Sequence, residues 1–288
     1  MKRIAVVTDS NSSITPLEAK ELGVYVIPMP FTIDDENYFE DINLTQEEFY
    51  KKLKSDAKIF TSQPAVGDLM TLWDDLLKEY DYIIHIPMSS GLSKSCETAQ
   101  MISTYEEYKG KVFVVNNQRI SVTQRQSVLD ALELIKEGKE AEEIKNKLEE
   151  VKFESSIYIT LDTLKYLCRG GRVTKSAAGF AKFLGIKPVL TIQGDKLDAH
   201  AKVRGTKKAI STMINAIKKD IETKYDGKYE DMHMYVAYTY NKEDGEKLME
   251  LVKKEFPNGI DYTIRPLSLS ISCHIGPGAI GIGFAKKI

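Results

Sequence analysis

Short hydroxyl-rich runs are the first candidates for chemistry in this 288-residue chain. Thr61-Ser62-Gln63-Pro64 sets two hydroxyls before a proline suited to a first helical turn. Ser89-Ser90-Gly91-Leu92-Ser93-Lys94-Ser95 supplies four more, and Thr8-Asp9-Ser10-Asn11-Ser12-Ser13 and Asn116-Asn117-Gln118 are polar with a single charge between them. Side chains of this kind orient a polar group by hydrogen bonds and leave its charge unneutralised. Ser93 near a helix start would stand beside unpaired backbone N–H groups, an arrangement that accepts an anion. The same hydroxyls serve elsewhere as plain helix caps; the clustering of four such runs favours a site.

A serine nucleophile needs a strained turn and a base. Gly91-Leu92-Ser93-Lys94-Ser95 begins like the G-x-S-x-G elbow but carries Ser95 in place of the last glycine. Of the four histidines, His85 lies in an apolar run and reads as structural, His200 and His233 stand in no motif, and His274 opens His274-Ile275-Gly276-Pro277-Gly278. Gly276 to Gly281 has the form G-x-G-x-x-G, but the seven residues after Gly281 are too few for the helix and second strand of a dinucleotide fold. Neither Gly-Lys-Ser/Thr nor His-Glu-x-x-His occurs, so nucleotide hydrolysis and metal catalysis lack equipment. No catalytic residue and no metal ligand is assigned.

Three of the polar runs follow the apolar runs Ile4 to Val7, Tyr82 to Ile86 and Val112 to Val115, which are continuous rather than alternating, as parallel strands covered on both faces are. Helical spacing occupies Thr45 to Leu53 and Val66 to Leu77, then Val128 to Gly138 and Ile144 to Val151. This is an α/β layer, an N-terminal Rossmann-like parallel sheet flanked by helices. Its polar loops fall at the carboxyl ends of strands, where open sheets bind ligands. After Phe153 to Ser155 the pattern changes. Ile157 to Thr160, Pro188 to Ile192, Met234 to Thr239, Tyr262 to Ile264 and Ala279 to Phe284 read as strands. Two of these, Met234 to Thr239 and Ala279 to Phe284, alternate as half-exposed strands do, and Ile210, Met213, Ile214, Ile217 and Ile221 mark a helix. The expectation is two α/β domains, residues 1–153 and 154–288, the second with a mixed sheet.

Hydrophobic residues at 42% and charged residues at 28% are globular values and argue against disorder. Forty Lys and Arg against 42 Asp and Glu leave a net charge of -2, too balanced for a phosphate-neutralising surface, so no nucleic-acid partner is expected. Cys96, Cys168 and Cys273 are far apart and odd in number, which argues against a disulfide framework and fits a reducing compartment. The four apolar residues after Met1-Lys2-Arg3 are too few for a signal-peptide core, and no run approaches the roughly 20 apolar residues of a bilayer span. A cytoplasmic protein without stable membrane insertion is expected.

Val7-Thr8-Asp9-Ser10, Thr61 to Pro64, Ser89 to Ser93, Asp162-Thr163-Leu164 through Gly170-Gly171-Arg172-Val173, Ile186-Lys187-Pro188, Lys202-Val203-Arg204 and His274 to Gly278 are weak signals singly. In this order and spacing the chain resembles, over essentially its whole length, the DegV family of bacterial fatty-acid-binding proteins. The resemblance implies one long-chain fatty acid, such as hexadecanoate, held between the two domains without a cofactor. It further implies a separate ATP-dependent fatty-acid kinase that converts the presented carboxylate to acyl phosphate for phospholipid synthesis. Thr61 and Ser93 then correspond to the hydroxyls that bind the carboxylate, with Ser62 beside them and His274, Gly276 and Gly278 reaching in from the second domain. Arg169, Arg172 and Arg204 correspond to the basic positions where the kinase docks. Two positions depart from the family pattern: Lys94 replaces a usual glycine, and Asn116-Asn117 a common Asp-Ser. The long stem of Lys94 is expected to point to solvent. The small-residue segment Ala177 to Ile186 is expected to wall a tunnel for the tail. Two other readings stay open: a serine hydrolase of acyl esters using Ser93 and His274, and a phosphate- or nucleotide-binding module at the helix start near Ser89 to Ser95.

Overall fold

Coverage on both faces accounts for the unbroken apolar runs of the first half. The computed structural model describes residues 2–54, 57–182, 185–193 and 196–288. In it β1 (Ile4–Asp9), β2 (Tyr25–Ile27), β6 (Tyr82–Ile86) and β7 (Val112–Val114) form an all-parallel sheet in the order β2-β1-β6-β7. Ala5, Val7 and Ile83 pack on Leu69, Trp73 and Ala99 of α3 (Val66–Leu76) and α4 (Ser95–Ile102). Val6, Ile84 and Ile86 pack on Val128, Ala131 and Ile144 of α5 (Ser121–Lys136) and α6 (Ala141–Glu150). Between β1 and β2, α1 (Pro16–Leu22) starts where Thr15 Oγ1 accepts the Glu18 N–H and stops at Gly23, whose φ of +68° suits a glycine.

A second, antiparallel sheet has no counterpart in the sequence reading. Its strands β3 (Phe31–Ile33), β4 (Glu36–Tyr38) and β5 (Ile59–Thr61) run in the order β4-β3-β5, packed through Phe31 on Phe49 and Tyr50 of α2 (Gln46–Lys54). Strands of three residues are too short to display a period of two, and these three lack the unbroken apolar run that marks β7.

The third sheet is mixed. Strands β8 (Ser155–Thr160), β9 (Lys187–Ile192), β10 (Asp198–Val203), β11 (Met232–Tyr238), β12 (Asp261–Pro266) and β13 (Ile280–Lys286) run in the order β10-β9-β8-β13-β11-β12, antiparallel except for β11 beside β12. The expectation that β11 and β13 are half exposed is corrected: both are buried almost throughout. Their alternation sorts residues between two buried faces. Met234, Val236, Ile280, Ile282 and Phe284 meet α9 (Thr206–Lys224) and α10 (Lys242–Glu255), whereas Tyr235, Ala237 and Ala285 turn towards the first half of the chain. The remaining helices are α7 (Lys165–Gly170), α8 (Lys175–Ala178) and α11 (Leu269–Ile275).

Helix α5 also begins earlier than its apolar pattern indicates, at Ser121 rather than Val128. Its first turns carry the buried polar residues Gln124, Gln126, Ser127 and Asp130, whose partners lie in both halves of the chain, and those residues mask the hydrophobic stripe. Beside it Glu18 of α1 joins Arg125 (2.5 Å) and Arg265 of β12 (2.8 Å) in a half-buried ion triad. Glu18→Ala leaves two guanidinium groups facing each other in a poorly solvated seam, so it should cost about 2 kcal/mol of stability. Urea unfolding checks this, with Glu47→Ala on the exposed face of α2 as the near-neutral control.

Candidate functional site

The loops after β1 and β6 are tied together by a buried carboxylate. Asp9 Oδ2 accepts the Met88 N–H at 2.7 Å, and Oδ1 accepts the Asn11 N–H at 3.0 Å and Gln124 Nε2–H at 3.3 Å. Burial pushes its pKa up to about 6, against the pull of those three donors. This clamp brings Asn11 and the Met88 to Ser93 turn to one edge of the parallel sheet. Ser89 Oγ accepts the Gly91 N–H at 3.3 Å, and Ser93 Oγ accepts the Ser95 N–H at 3.2 Å at the start of α4. Ser93 therefore does part of a cap's work, while Thr61 and Ser62 do none: α3 starts two residues after Pro64 with no side-chain cap, and Thr61 ends β5.

A cavity of about 330 Å³ opens where these loops face the mixed sheet and α11. Thr61, Ser62, Ser93 and His274 all line it, together with Arg172, and the rest of its wall is mostly apolar. Thr61 Oγ1 and His274 Nε2 are 2.8 Å apart, a hydrogen bond between residues 213 positions apart in sequence. Burial, with the Arg172 charge adding to it, lowers the His274 pKa to about 4, so the imidazole is neutral at pH 7. Its ring lies against Gly170, where a Cβ would collide with Nδ1. Glycine at 170 thus has a packing reason.

Other expected residues sit elsewhere. Gly276 and Gly278 do not line the cavity; they stand behind His274, both at φ +78°, where a Cβ would strike Tyr166 and Asp162 respectively. Arg169 and Arg204 are exposed. Arg172 is half buried, its Nη1 donating to the Gly170 carbonyl and its Nε to the Leu92 carbonyl at 3.4 Å, which makes it a cation of the cavity as much as of the surface. Lys94 lines the rim, but its ammonium turns outward to Glu97 at 2.8 Å, as its stem length suggests. Asn117 is buried and caps its own loop through the Arg119 N–H at 3.2 Å. Within the Ala177 to Ile186 segment, Ala177 and Phe180 pack into the core around the cavity without lining it, and Phe183 and Leu184 lie outside the described residues.

The sequence reading missed the residues that seat α11 and floor the cavity. Glu40 Oε2 accepts the Leu269 N–H at 2.8 Å and Tyr50 donates to Ser272 Oγ at 2.9 Å, anchoring α11 to the segment after β4 and to α2. On β13, Gly281 and Gly283 turn towards the cavity opposite Ile159 and Ile157 of β8, and all four residues line it. The every-second-residue glycine is a readable signal; its meaning is close approach, since a Cβ at Gly281 or Gly283 would come within 3.1 or 3.2 Å of the Tyr158 or Ser156 carbonyl of β8.

The loops at one end of a parallel sheet, set against a mixed sheet and α11 across a mostly apolar chamber with a hydroxyl-lined end, define an α/β protein with a cavity between its two halves. The chain belongs to the DegV family, whose model, described as an uncharacterised protein family, matches residues 3–287. A DegV domain-containing protein of Staphylococcus aureus is 30% identical over the full length of both chains, and Protein DegV of Bacillus subtilis is 31% identical over 99% of both. Among solved structures, a DegV family protein from Thermus thermophilus, described for its fatty acid binding, superposes with a TM-score of 0.90 at 28% identity over 99% of both chains. DegV of Bacillus subtilis, described as a fatty acid binding protein, superposes at 0.86 with 30% identity over the whole of both. Among the described residues of this chain, no helix is long and apolar enough to cross a membrane.

Because the folded state holds His274 at about 4 against 6.5 in an unfolded chain, stability is lost as pH falls between those values. The loss is on the order of 3 kcal/mol by pH 4. With each protein referred to its own value at pH 7.5, the wild type should weaken over that window more than His274→Gln, as read from urea midpoints at pH 7.5, 5.5 and 4.5.

Proposed function

We propose that this protein is a carrier rather than an enzyme. It holds one long-chain fatty acid, of the hexadecanoate class, between two domains at residues 1–153 and 154–288. The carboxylate lies at Thr61, Ser62, Ser93 and His274, and a separate ATP-dependent kinase in the cytoplasm phosphorylates it to acyl phosphate for phospholipid synthesis. The observation that carries this reading is the mostly apolar chamber ending in the Thr61–His274 pair, and the fatty acid binding of the Thermus and Bacillus relatives supports it.

The energetics are consistent with it. Each buried CH₂ contributes about 0.8 kcal/mol, so a sixteen-carbon tail supplies on the order of 10 kcal/mol before the costs of association. Hydroxyl hydrogen bonds contribute only about 0.5 to 1.5 kcal/mol each. Affinity comes from the tail and orientation from Thr61 and Ser93. A neutral His274 leaves Arg172 as the cavity's cation, so the carboxylate is held without a tight clamp and an oxygen stays free for phosphoryl transfer. Arg169 and Arg204, both exposed, are the docking residues for the kinase, with Arg172 between the cavity and the surface. The hydrolase alternative needs Ser93 on His274, whereas His274 Nε2 is on Thr61 and Ser93 Oγ is on the Ser95 N–H.

Solvent extraction and mass spectrometry of the purified protein should return one fatty acid per chain. Thr61→Ala with Ser93→Ala should keep that lipid yet cut kinase-coupled phosphorylation about tenfold, and Arg169→Glu with Arg204→Glu should abolish phosphorylation while sparing lipid. Absence of lipid after gentle purification, or full phosphorylation in both double variants, would refute the assignment.

A further inference from the structure

The chamber is not uniformly apolar beyond its head-group end. Helix α11 presents one face to it: Ser270, Ile271, His274 and Ile275 line the cavity at helical spacing, and Leu267 just before the helix joins them. The opposite face, Leu269 and Cys273, packs on α2, where Tyr50 also bonds Ser272. That periodicity directs the Ser270 side chain into the cavity, one helical turn, about 6 Å, from His274. Ser270 is 4% exposed, and among the described residues none forms a hydrogen bond with its Oγ.

Asn11 lines the same end of α11. Its Oδ1 accepts Ser268 Oγ–H at 2.6 Å, two residues from Ser270, which fixes the amide; its Nδ2 reaches Met88 Sδ at 2.8 Å, and a thioether is a weak acceptor. An unsubstituted alkyl chain laid here would bury a hydroxyl with no partner and an amide N–H served only by sulfur, and such groups cost free energy when water is displaced from them. An oxygen on the chain would remove that cost, accepting from Asn11 Nδ2 and pairing with Ser270 Oγ.

Resting on the reading of the chamber as a fatty-acid site, we propose that Ser270 and Asn11 form a subsite for an oxygen substituent, so that the preferred ligand class is a long-chain fatty acid carrying a hydroxyl on the carboxyl-proximal part of its chain. The specificity is differential: the site gains little absolute affinity, but it penalises the analogue that leaves its buried polar groups unpaired.

Equilibrium binding of octadecanoate and a positional series of hydroxyoctadecanoates to delipidated protein tests this, for the wild type and for Ser270→Ala, which removes only an unbonded hydroxyl. One or a few adjacent isomers should bind the wild type about five- to tenfold more tightly than octadecanoate. Ser270→Ala should erase that advantage while holding octadecanoate at least as tightly as the wild type does. The subsite is overturned if octadecanoate binds the wild type as tightly as every isomer, or if the advantage survives in Ser270→Ala. If octadecanoate and all hydroxy acids fail to bind, the fatty-acid reading itself falls and the subsite with it, so the two failures are told apart by octadecanoate alone.

Discussion

Helix α11 belongs to the C-terminal half of the chain but is seated on the N-terminal half, and the candidate site exists only because of that seating. Glu40 accepts the Leu269 N–H, one of the amides a helix start leaves unpaired, and Tyr50 and Asn11 take Ser272 and Ser268 on the same short helix. The arrangement costs free energy at Glu40, whose pKa burial raises to about 7. In return His274, at the other end of α11, meets Thr61 of β5 across the chamber. A seven-residue helix has little stability of its own, so its position comes from these tertiary contacts rather than from propensity.

The same logic runs through the rest of the seam. Helix α5 contacts both the parallel and the mixed sheet, and it does so with polar side chains: Gln126 bonds Tyr235 of β11 at 2.7 Å and Asp130 within its own helix at 2.8 Å. Arg119, fully buried, donates to the Val151 carbonyl at 2.7 Å and Ser127 at 3.2 Å and stands 3.9 Å from Asp130. Desolvation pulls these two towards neutrality, lowering the arginine and raising the aspartate. Buried pairs of this kind add little net stability, but they penalise any register in which a partner is missing. The seam therefore specifies how the two sheets are set about α5, and the chamber inherits that geometry.

Inside the chamber, polarity and space are distributed unevenly. Gly281 and Gly283 let the floor of the chamber pack tightly on β8, while the neutral imidazole of His274 and the half-buried guanidinium of Arg172 hold the polar end at low charge density. A ligand with one polar end and a long apolar body fits that division, because apolar burial supplies affinity and hydrogen bonds supply orientation.

What the sequence alone determined was local. Continuous apolar runs marked β1, β6 and β7 as doubly covered strands, and the hydroxyl-rich segments at their ends were legible because Thr-Asp-Ser or Ser-Ser-Gly breaks an apolar run abruptly with side chains that need hydrogen-bond partners. The pairing of Thr61 with His274, the seating of α11 by Glu40 and Tyr50, the second buried face of β11 and β13, and the unpaired hydroxyl of Ser270 were decided only by the tertiary structure. These depend on which residues from distant parts of the chain exclude water together. Periodicity records which face of an element is apolar; it carries no information about which neighbour covers that face. Nor does it reveal whether a serine there is capped, solvated or left to meet a ligand.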